Sequence, residues 1–219
     1  MSTNTTSVWR KKLKELEIVV VIPTYNNGKT LAAVIEEVCR YADDIIVVND
    51  GSTDDTANIL EQYPAIRTIT HPVNKGKGTA LKHGLSQAKK EGFRYAITID
   101  SDGQHFASDI PCFIEAIEKE PDTLLVGARN LASDNMPGKN TFANKFSNFW
   151  FRLETGLKLE DTQSGYRLYP LRKMDVQSCW YTAKYEFELE AIVFAAWGDV
   201  AVKNISIHVY YPPQAERLS

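Results

Sequence analysis

Two carboxylates one residue apart, Asp100 and Asp102, follow the apolar run Tyr95-Ala96-Ile97-Thr98-Ile99. A buried strand would deliver both to its C-terminal tip, the edge of an open α/β sheet where ligands bind. Hard oxygen donors so placed suit Mg²⁺ or Mn²⁺, with the amide oxygen of Gln104 beside them and substrate phosphates completing the shell. The chemistry expected is therefore that of a nucleoside diphosphate. Asp-x-Asp alone carries little weight, because acidic turns are common and solvated; its place after an apolar strand is what gives it meaning.

Three further strand tips carry polar loops. Pro23-Thr24-Tyr25-Asn26-Asn27 follows an apolar run, although Pro and Asn also make ordinary turns. In Asn49-Asp50-Gly51-Ser52-Thr53-Asp54, Asp50 could meet a base or ribose, while Ser52 or Thr53 caps the next helix. In Asn74-Lys75-Gly76-Lys77-Gly78 the glycines admit a ligand close to the backbone and the lysines add charge at a helix start. The glycine spacing is not that of a P-loop, and no Lys-Ser/Thr pair follows. Each loop has a bland explanation as a turn; four in series on one sheet edge do not.

The elements that must hold these loops alternate. Strands are expected at 17–22 (ended by Pro23), 45–48, 66–70, 95–100 and 123–127. Helices are expected at 29–41, 54–62, 75–90 and 110–119. This rhythm predicts an α/β fold with a mostly parallel, helix-flanked central sheet. The pattern breaks at 130–139. An aromatic helix follows, with Phe142, Phe146, Phe149, Trp150, Leu153 and Leu157 at three-to-four spacing, as either core or an apolar acceptor groove. A helix over 186–197 and a strand over 200–209 close the pattern.

The chain has 219 residues, 43% hydrophobic and 24% charged, which fits one globular domain. A net charge of −3 gives no electrostatic footing for nucleic acid. Cys39, Cys112 and Cys179 are odd in number and far apart, so reduced thiols and a cytoplasmic setting are expected. No signal peptide or bilayer-length apolar run is expected. The basic Trp9-Arg10-Lys11-Lys12-Leu13-Lys14 reads as a solvated terminal helix, with contact to anionic lipid as the alternative.

Together, Val19-Val20-Val21-Ile22-Pro23-Thr24-Tyr25-Asn26, Val47-Val48-Asn49-Asp50-Gly51-Ser52-Thr53-Asp54, Asn74-Lys75-Gly76-Lys77-Gly78 and Asp100-Ser101-Asp102-Gly103-Gln104-His105 resemble the family 2 glycosyltransferases. Gly127-Ala128-Arg129 and Asp161-Thr162-Gln163-Ser164-Gly165-Tyr166-Arg167 resemble its dolichyl- or polyprenyl-phosphate mannosyl- and glucosyltransferase branch. The resemblance runs from about 17 to 217. It implies a GT-A fold, with a basic segment at 1–16, the catalytic domain at 17–211 and a tail or mobile loop at 212–219.

It also implies an inverting, metal-dependent hexosyltransferase drawing on a GDP-mannose or UDP-glucose type of donor. Pro23, Tyr25, Asp50, Lys77 and Asp100 would line the nucleotide site, with Arg217 closing over the diphosphate. Asp100, Asp102 and Gln104 would hold the divalent ion, with His105 in support. Arg129 would meet the acceptor phosphate or the diphosphate, or only form a surface ion pair. Ser164 and Arg167 would hold the acceptor, although Arg167 could instead pair with Asp161. Asp161 would orient its loop for a lipid-phosphate acceptor, or serve as base for a hydroxyl of a soluble glycan. The chain departs from the branch at Glu160, where a basic residue is common, and at Asn27, where Glu is. Those departures leave the glycan acceptor and a noncatalytic sugar-nucleotide-binding module as alternatives. The lipid acceptor implies peripheral contact with the cytoplasmic face of a membrane.

Overall fold

The computed structural model describes residues 3–129, 161–162, 164–174 and 186–210. The element order is α1 (Thr3–Glu15), β1 (Ile18–Thr24), α2 (Leu31–Cys39), β2 (Ile45–Asn49), α3 (Thr56–Glu61), β3 (Arg67–Thr70), α4 (Lys77–Lys90), β4 (Tyr95–Thr98), α5 (Ile110–Lys119), β5 (Leu124–Arg129), β6 (Arg167–Pro170), α6 (Glu186–Trp197) and β7 (Val202–Ile207). The aromatic helix expected around Phe142 to Leu157, the loop at 130–139 and Arg217 lie outside the described residues.

Among the described residues seven strands form one sheet in the order β3-β2-β1-β4-β6-β5-β7. The β1, β2 and β4 residues are all buried because helices cover both faces, as parallel strands require. Alternation sorts them. Ile18, Val20 and Ile22 face α2 and α5, joined by Leu13 of α1; Val19 and Val21 face α4 and α6. Each such aliphatic side chain contributes roughly 1.5–3 kcal/mol of burial. The basic N-terminal helix is therefore docked through Leu13, and two of its cations pair with neighbouring parts of the fold. Arg10 pairs with Asp43 at 2.9 Å and Lys12 with Glu118 at 2.6 Å.

The chain steps from β1 to β2 to β3 on one side, then crosses through α4 to place β4 on the other side of β1. Strand order thus reverses at β1, which opens a crevice at the C-terminal edge between β1 and β4. Pro23 does not end β1 but belongs to it, paired with Val48. The Val21 carbonyl accepts from Ile99 on the β4 side, and the Thr24 carbonyl accepts from Asp50 on the β2 side. Pro23, two residues past Val21, therefore turns its missing N–H toward the crevice, where no strand needs it.

Among the described residues β6 is the one strand that runs against its neighbours, pairing Thr98 with Arg167 and Ala96 with Tyr169. Antiparallel pairing starts β6 at the C-terminal tip of β4. The residues just before β6 are thereby brought to the edge that carries Asp100.

Candidate active site

A cavity of about 590 Å³ occupies the crevice. Its lining includes Pro23, Tyr25, Asp50, Lys77, Asp100 and Asp102, six of the residues singled out from sequence. Two strand-tip loops are laced together at its rim. Asn26, in the left-handed region at φ 54°, accepts Thr53 N–H on Oδ1 and donates its own N–H to Ser52 Oγ. Asp54 accepts Gly28 N–H on one oxygen and Thr56 N–H on the other. The first turn of α3 is therefore met by Asp54, not by Ser52 or Thr53. Gly51 has φ +71°, and a Cβ there would lie 2.4 Å from the Val73 carbonyl carbon, so the loop requires glycine.

Asp50 is buried, and its carboxylate grips the next loop, accepting Lys75 N–H at 2.9 Å and Gly76 N–H at 2.8 Å. Its chief task is thus to shape the loop ahead of α4. Thr24 Oγ1 lines the same cavity, buried and with no hydrogen-bond partner, so it presents an unsatisfied hydroxyl to whatever enters.

The floor of the cavity is an ion cluster. Lys77 Nζ lies 2.7 Å from Asp100 Oδ1 and 3.0 Å from Glu188 Oε1 of α6. Burial works against the Lys77 ammonium, but Asp100 and Glu188 hold its pKa above the ordinary lysine value. Burial likewise works against the Asp100 carboxylate, and Lys77 overrides it, holding the carboxyl below its usual range. Asp102 goes the other way. Desolvation pushes its carboxyl up, Gln104 N–H opposes, and the Asp100 charge adds to the rise. Gly165 sits directly on the cluster. A Cβ there would stand 2.5 Å from Asp100 Oδ2, 2.8 Å from Lys77 Nζ and 2.9 Å from Glu188 Oε1.

The donor set suits a hard divalent cation. Asp100 commits Oδ1 to Lys77, and Asp102 commits Oδ1 to Gln104 N–H at 2.9 Å, which leaves Oδ2 of each for a cation. Among the described residues no group of three His, Cys, Asp or Glu side chains could hold a metal by itself. A cation here would therefore need ligands from substrate, as Mg²⁺ and Mn²⁺ at phosphate sites usually do. Gln104 reaches the pair through its backbone N–H, and its carbonyl accepts from Tyr210.

Arg167 is placed differently from the expectation that it holds an acceptor. It is wholly buried and donates to the carbonyls of Ser164 (2.6 Å), Thr162 (2.8 Å) and Glu188. It braces the 161–166 loop against α6. Asp161 is fully buried, and its carbonyl accepts from Asn204. Ser164 is buried, and its hydroxyl accepts Tyr166 N–H. Arg129 ends β5 opposite Ile207. Asn27 donates to Ser101 Oγ at 2.8 Å, so this amide ties two rim loops together.

Two residues carry no assigned site role in the sequence. Glu188 shares the spacing of the buried α6 residues Ala191, Ile192 and Ala195, and a carboxylate in that register signals a partner inside. His71 has no ligand spacing, but it stands behind Asp50 with Nδ1 2.6 Å from Oδ1.

Among the described residues no helix is long and apolar enough to cross a membrane. In comparisons with known proteins, a UDP-N-acetylglucosamine–dolichyl-phosphate N-acetylglucosaminyltransferase of Methanococcus voltae is 30% identical, covering 89% of this chain and 86% of its own. A dolichyl-phosphate beta-glucosyltransferase of Trichomonas vaginalis is 27% identical over 85% of this chain and 64% of its own. Glucosyl-3-phosphoglycerate synthase of Mycobacterium tuberculosis, solved with Mn²⁺, UDP and glucosyl-3-phosphoglycerate, superposes with a TM-score of 0.70 at 20% identity. That match covers 97% of this chain and 78% of the other, and the likeness extends to the fold. Residues 19–176, which carry the crevice and all four strand-tip loops, match the profile described as Glycosyl transferase family 2. The chain is a glycosyltransferase and belongs to that family.

Proposed function

We propose that this enzyme moves a hexose, with inversion, from a nucleoside diphosphate sugar to a polyprenyl or dolichyl phosphate at a membrane surface, with a divalent cation. The observation that carries the proposal is the crevice itself. It sets Lys77, two carboxylates with an oxygen to spare and the unpartnered Thr24 hydroxyl around a volume suited to a nucleotide. The names of the relatives support the lipid-phosphate acceptor, and the M. voltae enzyme supports a UDP-linked donor.

On this proposal Pro23 and Tyr25 flank the nucleoside, and the Thr24 hydroxyl satisfies one of its polar atoms. Asp100 and Asp102 hold Mg²⁺ or Mn²⁺ through their uncommitted oxygens, with Gln104 shaping the turn. When bound, the cation neutralises charge that builds on the departing diphosphate. Lys77, pinned between two carboxylates, supplies a fixed positive charge at the same place at no reorganisation cost. An acceptor phosphate oxygen attacks the anomeric carbon from the far side. The new C–O bond forms as the bond to the diphosphate breaks, and the electron pair leaves with the diphosphate.

A phosphate is already anionic near neutral pH, so no base is needed. Asp161, with no exposed surface, then orients its loop, and Ser164 and Arg167 hold that loop against the donor floor. Arg129 and Arg217 are proposed as the cations that meet acceptor phosphate and diphosphate. The test incubates the chain and Mn²⁺ with labelled UDP-N-acetylglucosamine, UDP-glucose or GDP-mannose, each with short-chain polyprenyl phosphate. Label from one donor should become extractable into organic solvent. Label reaching only a soluble glycan, or no acceptor at all, would contradict the proposal.

A further inference from the structure

Behind the crevice lies a line of hydrogen bonds that reaches the surface. Asp50 clamps Lys75 N–H and Gly76 N–H, the last two amides before α4, and Gly76 and Lys77 line the cavity. His71, buried, meets Asp50 Oδ1 through Nδ1 at 2.6 Å. Its other nitrogen, Nε2, lies 2.7 Å from His83 Nδ1 on the exposed face of α4. The two rings stand edge to face, 4.7 Å apart at 88°.

Proton positions follow from what each atom can do. A carboxylate only accepts, so His71 Nδ1 carries a hydrogen and donates it to Asp50. With His71 neutral, Nε2 accepts from His83 Nδ1–H. His83 donates through Nδ1 whether neutral or cationic, so its protonation preserves the line and adds positive charge to it. The charged groups facing His83 are Lys75 from the loop, Lys90 from α4 and Asp50 from the tip of β2. Desolvation and the Lys75 and Lys90 charges lower the His83 pKa from 6.5, and Asp50 opposes them.

We propose that His71 and His83 are positioning residues that set the Asp50 clamp on the loop ahead of α4, and through it the grip of the crevice on an anionic diphosphate. The second half rests on the donor proposed above; the clamp does not. Neither imidazole touches the ligand. Removing the His71 donor leaves Asp50 buried with a vacant lone pair, and the loop amides lose a well-aimed acceptor. Protonating His83 places a cation behind a site for an anion, so affinity should rise as pH falls through the His83 titration.

Amide exchange on the full chain without ligand tests the clamp. His71→Ala should lower protection at Lys75 and Gly76 at least about tenfold. His71→Asn, whose Nδ2 can donate to Asp50, should restore it. A purely space-filling His71 would not be rescued in this way. Affinity for UDP-glucose with Mn²⁺ is then measured from about pH 5 to 7.5, where this diphosphate does not titrate. Wild type should weaken with rising pH in step with the His83 ring shifts, and His83→Gln should be flat at the high-pH value. Unchanged protection in His71→Ala, or a wild-type pH profile in His83→Gln, overturns the proposal. His83→Gln lies at an exposed position and keeps the test open if His71→Ala does not fold. Wild type that binds no nucleotide would count against the donor, while amide protection still decides the clamp.

Discussion

Replacing Lys77 with Met should cost the free enzyme about 2–3 kcal/mol, before any ligand is considered. Lys77 Nζ sits 2.7 Å from Asp100 and 3.0 Å from Glu188, so the two carboxylate oxygens are at most 5.7 Å apart (2.7 Å plus 3.0 Å). Without the ammonium, two like charges at that distance repel by about 3 kcal/mol at an effective dielectric of about 20. Uptake of a proton by one carboxyl caps the loss, and Met retains the packing of the stem. The pH dependence has a definite sign. The raised Lys77 pKa stabilises wild type fully below the ordinary 10.5 and is lost as pH climbs through the folded value. The depressed Asp100 pKa stabilises fully above 3.8 and is lost as pH falls through the folded value. Wild type thus keeps the cluster intact across neutral pH. In the variant, burial and repulsion favour a protonated carboxyl, so its deficit should shrink between pH 7.5 and 5. Urea unfolding of both proteins at the two pH values measures this. A deficit under about 0.5 kcal/mol, or one that grows on acidification, would refute a stabilising cluster.

Other changes probe neighbouring parts of the same assembly. Gly165→Ala puts a methyl 2.5 Å from Asp100 Oδ2 and must displace all three charges. It should cost about 1–3 kcal/mol in chemical unfolding and weaken Mn²⁺-dependent nucleotide binding; near-wild-type values of both would contradict the close approach. Arg167→Met empties three carbonyl partners of a buried cation and should lose about 3–5 kcal/mol, with Lys recovering only part, as read from denaturation midpoints. The His208 pKa is raised, chiefly by its hydrogen bond to Asp109 and also by that residue's charge. The contribution is whole below 6.5 and fades as pH rises through the folded value. His208→Ala should flatten that part of the stability profile, and a thermal-melt series across pH decides it.

How much of this was legible in the sequence depended on the range of the forces involved. The expected helix at 110–119 coincides with α5 because its apolar residues recur at helical spacing, whereas the helix expected roughly over 186–197 carries no one-sided apolar stripe. Pro23 reads locally as a strand terminator, because local rules cannot show that β4 stops two residues earlier and leaves its N–H side open. β6 is not legible because four residues headed by an arginine carry no period, and only the gap between β4 and β5 recruits them. The strand-tip residues were legible because Asp, Gly and Lys at ends of apolar runs declare themselves. Arg167 and Glu188 were not, since charge ordinarily predicts exposure, whereas their partners lie on elements distant in sequence. Asp50 lines the crevice, but its engagement with Lys75, Gly76 and His71 is a tertiary fact that no local pattern carries.

The central claim is that the β1–β4 crevice binds a nucleoside diphosphate sugar through a cation held by Asp100 and Asp102. Calorimetric titration of UDP- and GDP-sugars into wild type and Asp102→Asn, with and without Mn²⁺, tests it most directly. One donor should bind wild type tightly only with Mn²⁺, and Asp102→Asn, folded to the same stability, should lose that enhancement. Equal binding with and without the cation, or an Asp102→Asn protein that binds as wild type does, would contradict the account.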